Sequence, residues 1–226
     1  MPRPSQPQQS PSTPSSEQRP PAPADRAGVP WWAIVSAVVA PVAMIGGWTL
    51  AQSQQDAFDP VRGTISDLAT QASAAPWIMG AGLALTGVAH VVTAAGLRPV
   101  PRPARVLHAL GGLATLAVAI FPSDTHPRAH VVAASIGFGA LAVWPAWARR
   151  SAATGVLRPA VATTASVVLL LLLGAFLLEL WQVTSDGRAT GLTERLVAGA
   201  QALWPLVVAL GLVRSARHER GRAADR

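Results

Sequence analysis

The chain has 226 residues, half of them apolar and only 13% charged, against about 25% charged in an ordinary soluble domain, and the apolar residues are gathered in blocks, which points to the membrane. The absence of cysteine excludes disulfides and thiolate metal sites, the absence of lysine excludes Schiff-base chemistry, and the absence of tyrosine removes one acid and nucleophile. The net charge of +7 raises the question of nucleic acid, and its distribution along the chain answers it.

Residues 1–29 are rich in Pro, Ser and Gln and lack an apolar run, so they predict a disordered tail rather than a signal peptide. Six apolar segments follow, at about Pro30–Ala51, Pro76–Leu97, Pro103–Phe121, Pro127–Ala148, Pro159–Trp181 and Glu194–Arg214. Helices of about 20 residues reach about 30 Å, the thickness of a bilayer core. Five of the six open on proline, whose missing N–H costs nothing at a helix start, and Thr193 can cap the sixth. Trp31, Trp32 and Trp48 mark membrane interfaces, and Ala43, Gly47 and Ala51 form a small-residue stripe that permits close helix contact. Short connections make sequence neighbours antiparallel, so the fold class is all-α, a six-transmembrane-helix bundle over residues 30–214, followed by a basic tail over 215–226. Pro205 is expected to kink the last segment.

Fourteen arginines fall in the two tails and the segment 2–3 and 4–5 connections, and four (Arg62, Arg128, Arg188, Arg195) fall at the opposite face. That asymmetry predicts cytoplasmic termini in a plasma-membrane protein and an outward-facing loop after segment one. The basic surplus then belongs to topology and anionic lipid headgroups, and no nucleic-acid partner is expected.

The outward loop reads Phe58-Asp59-Pro60-Val61-Arg62-Gly63-Thr64-Ile65-Ser66-Asp67-Leu68. Val61, Ile65 and Leu68 share one helical face, which predicts an amphipathic helix lying along the outer face, starting at Pro60 and weakened by Gly63. Either Asp59 is a cap and Arg62 and Asp67 are solvated, or Asp59, Arg62, Ser66 and Asp67 line a polar pocket. The same face collects Asp124, His126 and His130 from the 3–4 connection, Glu179 from the end of segment five and Arg195 from segment six.

His126 and His130 are four apart, but Pro127 makes His126 a cap, so a metal pair competes with one capping and one buried histidine. The candidate zinc ligands are His126, His130 and Asp67, and no other cofactor is expected. Glu179, in an apolar run, either reaches the surface or pairs with Arg195, or it is a pocket acid. His90 and His108 are expected at different depths, with an interhelical hydrogen bond as the simplest use. No phosphate loop, Gly-x-Ser-x-Gly elbow or His-Glu-x-x-His motif is present.

Asp59 through Ala69, Ala75-Pro76-Trp77-Ile78-Met79, and Phe121-Pro122 through His130 resemble the domain-of-unknown-function 998 family of six-span bacterial, commonly actinobacterial, membrane proteins. The resemblance covers about residues 30–213. It implies the fold and a membrane location and brings no activity, so it carries no catalytic residue across. In residue types alone, the chain is also similar to multi-span ceramidase-like and progestin-receptor-like zinc hydrolases, but it lacks their seventh span and second histidine pair.

Three functions follow as expectations. The first is a non-enzymatic scaffold, sensor or accessory protein with a polar outer pocket, whose partners are membrane lipids, a membrane protein or a lipid-like ligand. The second is an outer-face metal-dependent hydrolase of a lipid-like substrate, drawing on Asp59, Asp67, Asp124, His126, His130 and Glu179. The third is a small transporter with Glu179 and His90 as proton relays, which requires a continuous polar path.

Overall fold

A computed structural model describes residues 28–151, 153–182 and 188–224, so most of the expected disordered tail lies outside the described residues. The described chain is helical: α1 (Trp31–Gln52), α2 (Ile65–Leu68), α3 (Pro76–Gly96), α4 (Arg102–Ile120), α5 (Pro127–Trp147), α6 (Pro159–Gln182) and α7 (Thr190–Ala224). Among these residues, six helices are long and apolar enough to cross a membrane, and the short α2 lies between the first two. The protein is a multi-pass membrane protein.

The long helices form a closed ring in chain order. α1 packs on α3, α3 on α4, α4 on α5, α5 on α6 and α6 on α7, and α7 returns to α1. The connections alternate between two ends. The loop end carries residues 53–75, the α4–α5 turn and the start of α7, while the arginine-rich end carries the other two connections and the end of α7.

Small residues set the helix spacing. The expected stripe on α1 does pack closely, because a Cβ on Gly82 of α3 would stand 2.9 Å from the Ala43 carbonyl and 3.2 Å from Gly47. Gly87 and Gly112 bring α3 and α4 nearer still, since a Cβ on either would stand 2.7 Å from the carbonyl of the other. The outer surface is apolar, and exposed tryptophans rim both ends. Trp31 and Trp147 lie at the arginine-rich end, and Trp77 and Trp181 at the loop end.

Arg105 closes α3 by donating from Nε to the Ala94 carbonyl and from Nη2 to the Ala95 carbonyl, both at 2.7 Å. Those carbonyls lack intrahelical donors, and a cation there complements the helix dipole.

Two helices differ from their expected bounds. The amphipathic helix does not begin at Pro60. It is the single turn Ile65–Leu68, because Thr64 and Asp67 form a capping box that starts it, with Asp67 N–H to Thr64 Oγ1 at 3.0 Å and Thr64 N–H to Asp67 Oδ2 at 2.7 Å. Ile65 and Leu68 are buried as expected, but Val61 lies before the helix and is exposed. α7 begins at Thr190, one turn before Glu194, and runs on through the basic stretch to Ala224.

Candidate functional site

The loop after α1 is folded onto the first turns of α7. The N–H groups of Gly191 and Leu192, orphaned at the helix start, donate to the Arg62 and Val61 carbonyls at 3.2 and 3.0 Å. Arg195 Nη1 gathers the carbonyls of Pro60, Gly63 and Gly191 at 3.0, 2.8 and 2.9 Å. The approach is close enough to require glycine at 191, where any Cβ would overlap the Gly63 carbonyl.

Glu194 completes the junction. Its side chain is buried, and Oε2 accepts the N–H of Ile65, the first residue of α2. Oε1 lies 3.3 Å from the Ser66 hydroxyl. On its other side, Ser66 Oγ stands 3.1 Å from His130 Nε2. His130 is buried, and its Nδ1 is 2.8 Å from the Phe121 carbonyl. A carbonyl can only accept, so Nδ1 carries a proton. Glu194, Ser66 and His130 therefore form one chain of hydrogen bonds from three elements: α7, α2 and α5.

Two hollows meet at this chain. A groove of about 490 Å³ runs between α5 and α6 at the loop end. Arg62, Ser66, Asp67, Ser123, His130, Thr190 and Glu194 line its polar end, and Val131, Phe138, Leu173, Phe176, Leu177 and Leu180 line its apolar wall. Its volume lies within the usual range for small-molecule sites. The Phe138 and Phe176 rings, 5.6 Å apart, both line it. The Thr190 hydroxyl is fully buried there and has no partner among the described residues. An inner cavity of about 50 Å³ lies behind, lined by Ser66, Glu194, Gln201, Thr115 and His90 among others. Ser66 and Glu194 line both.

The expected pocket is thus only partly assembled. Arg62, Ser66, Asp67 and His130 reach the groove. Asp59 is exposed, accepts the Val61 N–H at 2.9 Å and stands 3.8 Å from Arg62, a surface pair of little weight. Asp124 accepts the Gln71 N–H at 2.7 Å and does not line the groove. His126 is the exposed cap of α5, with its ring on Thr125 and edge-on to Phe121. Glu179 accepts the Ala189 N–H at 3.0 Å, while Arg195 serves the loop carbonyls. The three residues named for zinc, His126, His130 and Asp67, are each held in other contacts. Among the described residues, no three His, Asp or Glu side chains gather as a metal centre would need.

The expected interhelical hydrogen bond between His90 and His108 is present, and the two are not at different depths. Nδ1 of one is 2.9 Å from Nε2 of the other, and both are fully buried. The glycine contact between α3 and α4 sets the two helices in that register. His108 also stacks on Trp144, with ring centroids 4.6 Å apart.

Glu194 and Gln201 were missed, yet a signal for both was present. Glu194, Val197, Ala198 and Gln201 fall at i, i+3, i+4 and i+7, and all four are buried. Setting the helix start at Glu194 hid that face. Gln201 Nε2 donates to the Phe138 carbonyl at 2.9 Å, tying α7 to α5.

The model of a family described as protein of unknown function, DUF998, matches residues 38–211, which is most of the six-helix ring and the whole of the site. No curated protein and no solved structure matches the chain.

Proposed function

The chain belongs to the DUF998 family of proteins of unknown function, and for this member we propose the binding of an amphipathic, lipid-like molecule in the groove between α5 and α6. The observation that carries the reading is the groove's division into one polar end and one apolar wall. Leu173, Phe176, Leu177 and Leu180 extend along about two turns of α6, or about 10 Å. That suits a hydrocarbon chain, while the polar end, with Arg62, Asp67 and the Thr190 hydroxyl, offers hydrogen bonds to a polar head. Leu177 and Leu180 are also exposed on the outer surface, so a ligand can enter sideways from the bilayer.

The proposed location is the plasma membrane with cytoplasmic termini, on the strength of the arginine asymmetry. The groove then opens on the outer leaflet. The inner cavity stops at His90, whose ring is bonded to His108 beneath Trp144. This favours a binding site over a conduit through the bundle.

The test is saturable binding of an environment-sensitive fluorescent fatty-acyl probe to the protein in nanodiscs. Ala134→Trp, placed in the groove wall, is expected to abolish binding, and Gly139→Trp, with open space around it, is expected to leave it intact. Equal binding by both variants would remove the groove from consideration.

A further inference from the structure

We infer that Ser66 is a nucleophile and His130 its general base, so that the groove is an acyl-transfer site for a lipid-like carboxylic ester. This rests on the groove reading above and adds a reaction to it. The geometry is that of an activated hydroxyl. Ser66 Oγ and His130 Nε2 are 3.1 Å apart, and the imidazole is oriented from behind by the Phe121 carbonyl on Nδ1 at 2.8 Å. With the Nδ1 proton committed, the Nε2 lone pair of the neutral ring faces the serine.

Proton counting gives Glu194 its part. The two bonds flanking Ser66 Oγ need two protons, and the hydroxyl has one. In one arrangement Glu194 is the neutral acid and donates to Ser66, which donates to His130. In the other His130 is the imidazolium and donates to Ser66, which donates to the Glu194 carboxylate. The first is the state in which the serine can attack. Glu194 is therefore a positioning residue that holds Ser66 Oγ and, through the Ile65 N–H, the backbone that carries it.

The reaction balances with water as the only co-reactant. Ser66 Oγ bonds to the ester carbonyl carbon while its proton passes to His130 Nε2. The carbon–oxygen bond to the alcohol breaks, and His130 returns the proton to that oxygen. Water then adds to the acyl-serine by the same path, releasing the acid and restoring Ser66. Ser66 lines the inner cavity as well as the groove, and the cavity's 50 Å³ exceeds the roughly 10–15 Å³ that one water needs. A water held in that cavity stands beside the serine that carries the acyl group. The Thr190 hydroxyl in the same groove, without a partner among the described residues, is a donor available to the carbonyl oxygen.

The experiment treats the full chain in detergent with diisopropyl fluorophosphate and, separately, with a hexadecyl fluorophosphonate, and maps adducts by mass spectrometry. In each case an Oγ–P bond forms and fluoride leaves. The expected result is one adduct, on Ser66, absent in Ser66→Ala and formed about 100-fold more slowly in His130→Gln. Glu194→Gln, which can still accept from Ile65 and donate to Ser66, is expected to label within about threefold of the natural protein, and Glu194→Ala far more slowly. No Ser66 adduct from either reagent, or an adduct rate indifferent to His130, overturns the inference. If the fatty-acyl probe still binds in that case, the groove reading survives alone. Labelling by the small reagent without probe binding would instead sink the groove and leave the nucleophile.

Discussion

Glu194 and Ile65 stand 129 positions apart, and the carboxyl group of one receives the backbone N–H of the other. A helix-starting N–H that has no partner within its own short turn is satisfied from the last helix of the bundle. Removing that acceptor while the N–H stays buried costs about 1–3 kcal/mol. Glu194→Ala is accordingly expected to lower the thermal midpoint in detergent by several degrees, and Glu194→Gln by less than half as much. Equal losses would mean that the acceptor is not what matters.

Gly191 tests the same junction sterically. Gly191→Ala places a methyl group against the Gly63 carbonyl and the Arg195 guanidinium. The loop must lift, so accelerated proteolysis between residues 53 and 75 is the expected outcome. Gly80→Ala, whose Cβ meets nothing within 4 Å, serves as the neutral control.

The α3–α4 contact predicts a second contrast. Overpacking a tight interface costs about 1–3 kcal/mol. Gly87→Val is expected to reduce the folded yield sharply, because its side chain meets the Gly112 carbonyl and the Leu116 backbone. Normal yield and stability would show that the helices part without cost.

The histidine pair predicts a non-additive cycle. His108→Phe keeps a ring on Trp144 and leaves His90 Nδ1 without its partner. That single change is expected to cost about 1–3 kcal/mol, and adding His90→Leu is expected to recover part of the loss. Strict additivity in denaturant or thermal unfolding would dissolve the pair as an energetic unit.

Orientation is open to direct chemistry, since the natural chain has no cysteine. Gln54→Cys at the loop end is expected to react with an impermeant maleimide on intact cells, and Arg149→Cys only after permeabilisation. The reverse pattern would turn the protein over and place the groove at the inner leaflet.

The fold was legible because membrane helices announce themselves through length and apolarity, and five helix starts carried proline at or beside the first turn. Close contact at the Ala43–Gly47–Ala51 stripe, and packing of the first segment on the second, followed from small-residue logic and short connections, although Gly82 as the counterpart did not. The site was legible in half. Ser66, Asp67 and His130 stood out as polar residues near an interface. Glu194 did not, because a carboxylate at the assumed first residue of a helix reads as a solvated cap. One turn of error in a boundary moved it from the core to the surface. The depth of His90 against His108 depended on how closely α3 and α4 approach, a property of two glycines on different helices.

The closure of α7 on α1 also orders the protein's biogenesis. The loop that carries Ser66 leaves the ribosome early, with α1 and α3. The residues that hold it, Gly191, Glu194 and Arg195, emerge only with the final helix. Until then the Ile65 N–H has water in place of Glu194, and the 60–64 backbone lacks the first turns of α7. A chain arrested before residue 190 would therefore insert five helices and still display an undocked loop, the kind of feature by which a membrane protease tells an unfinished protein from a finished one.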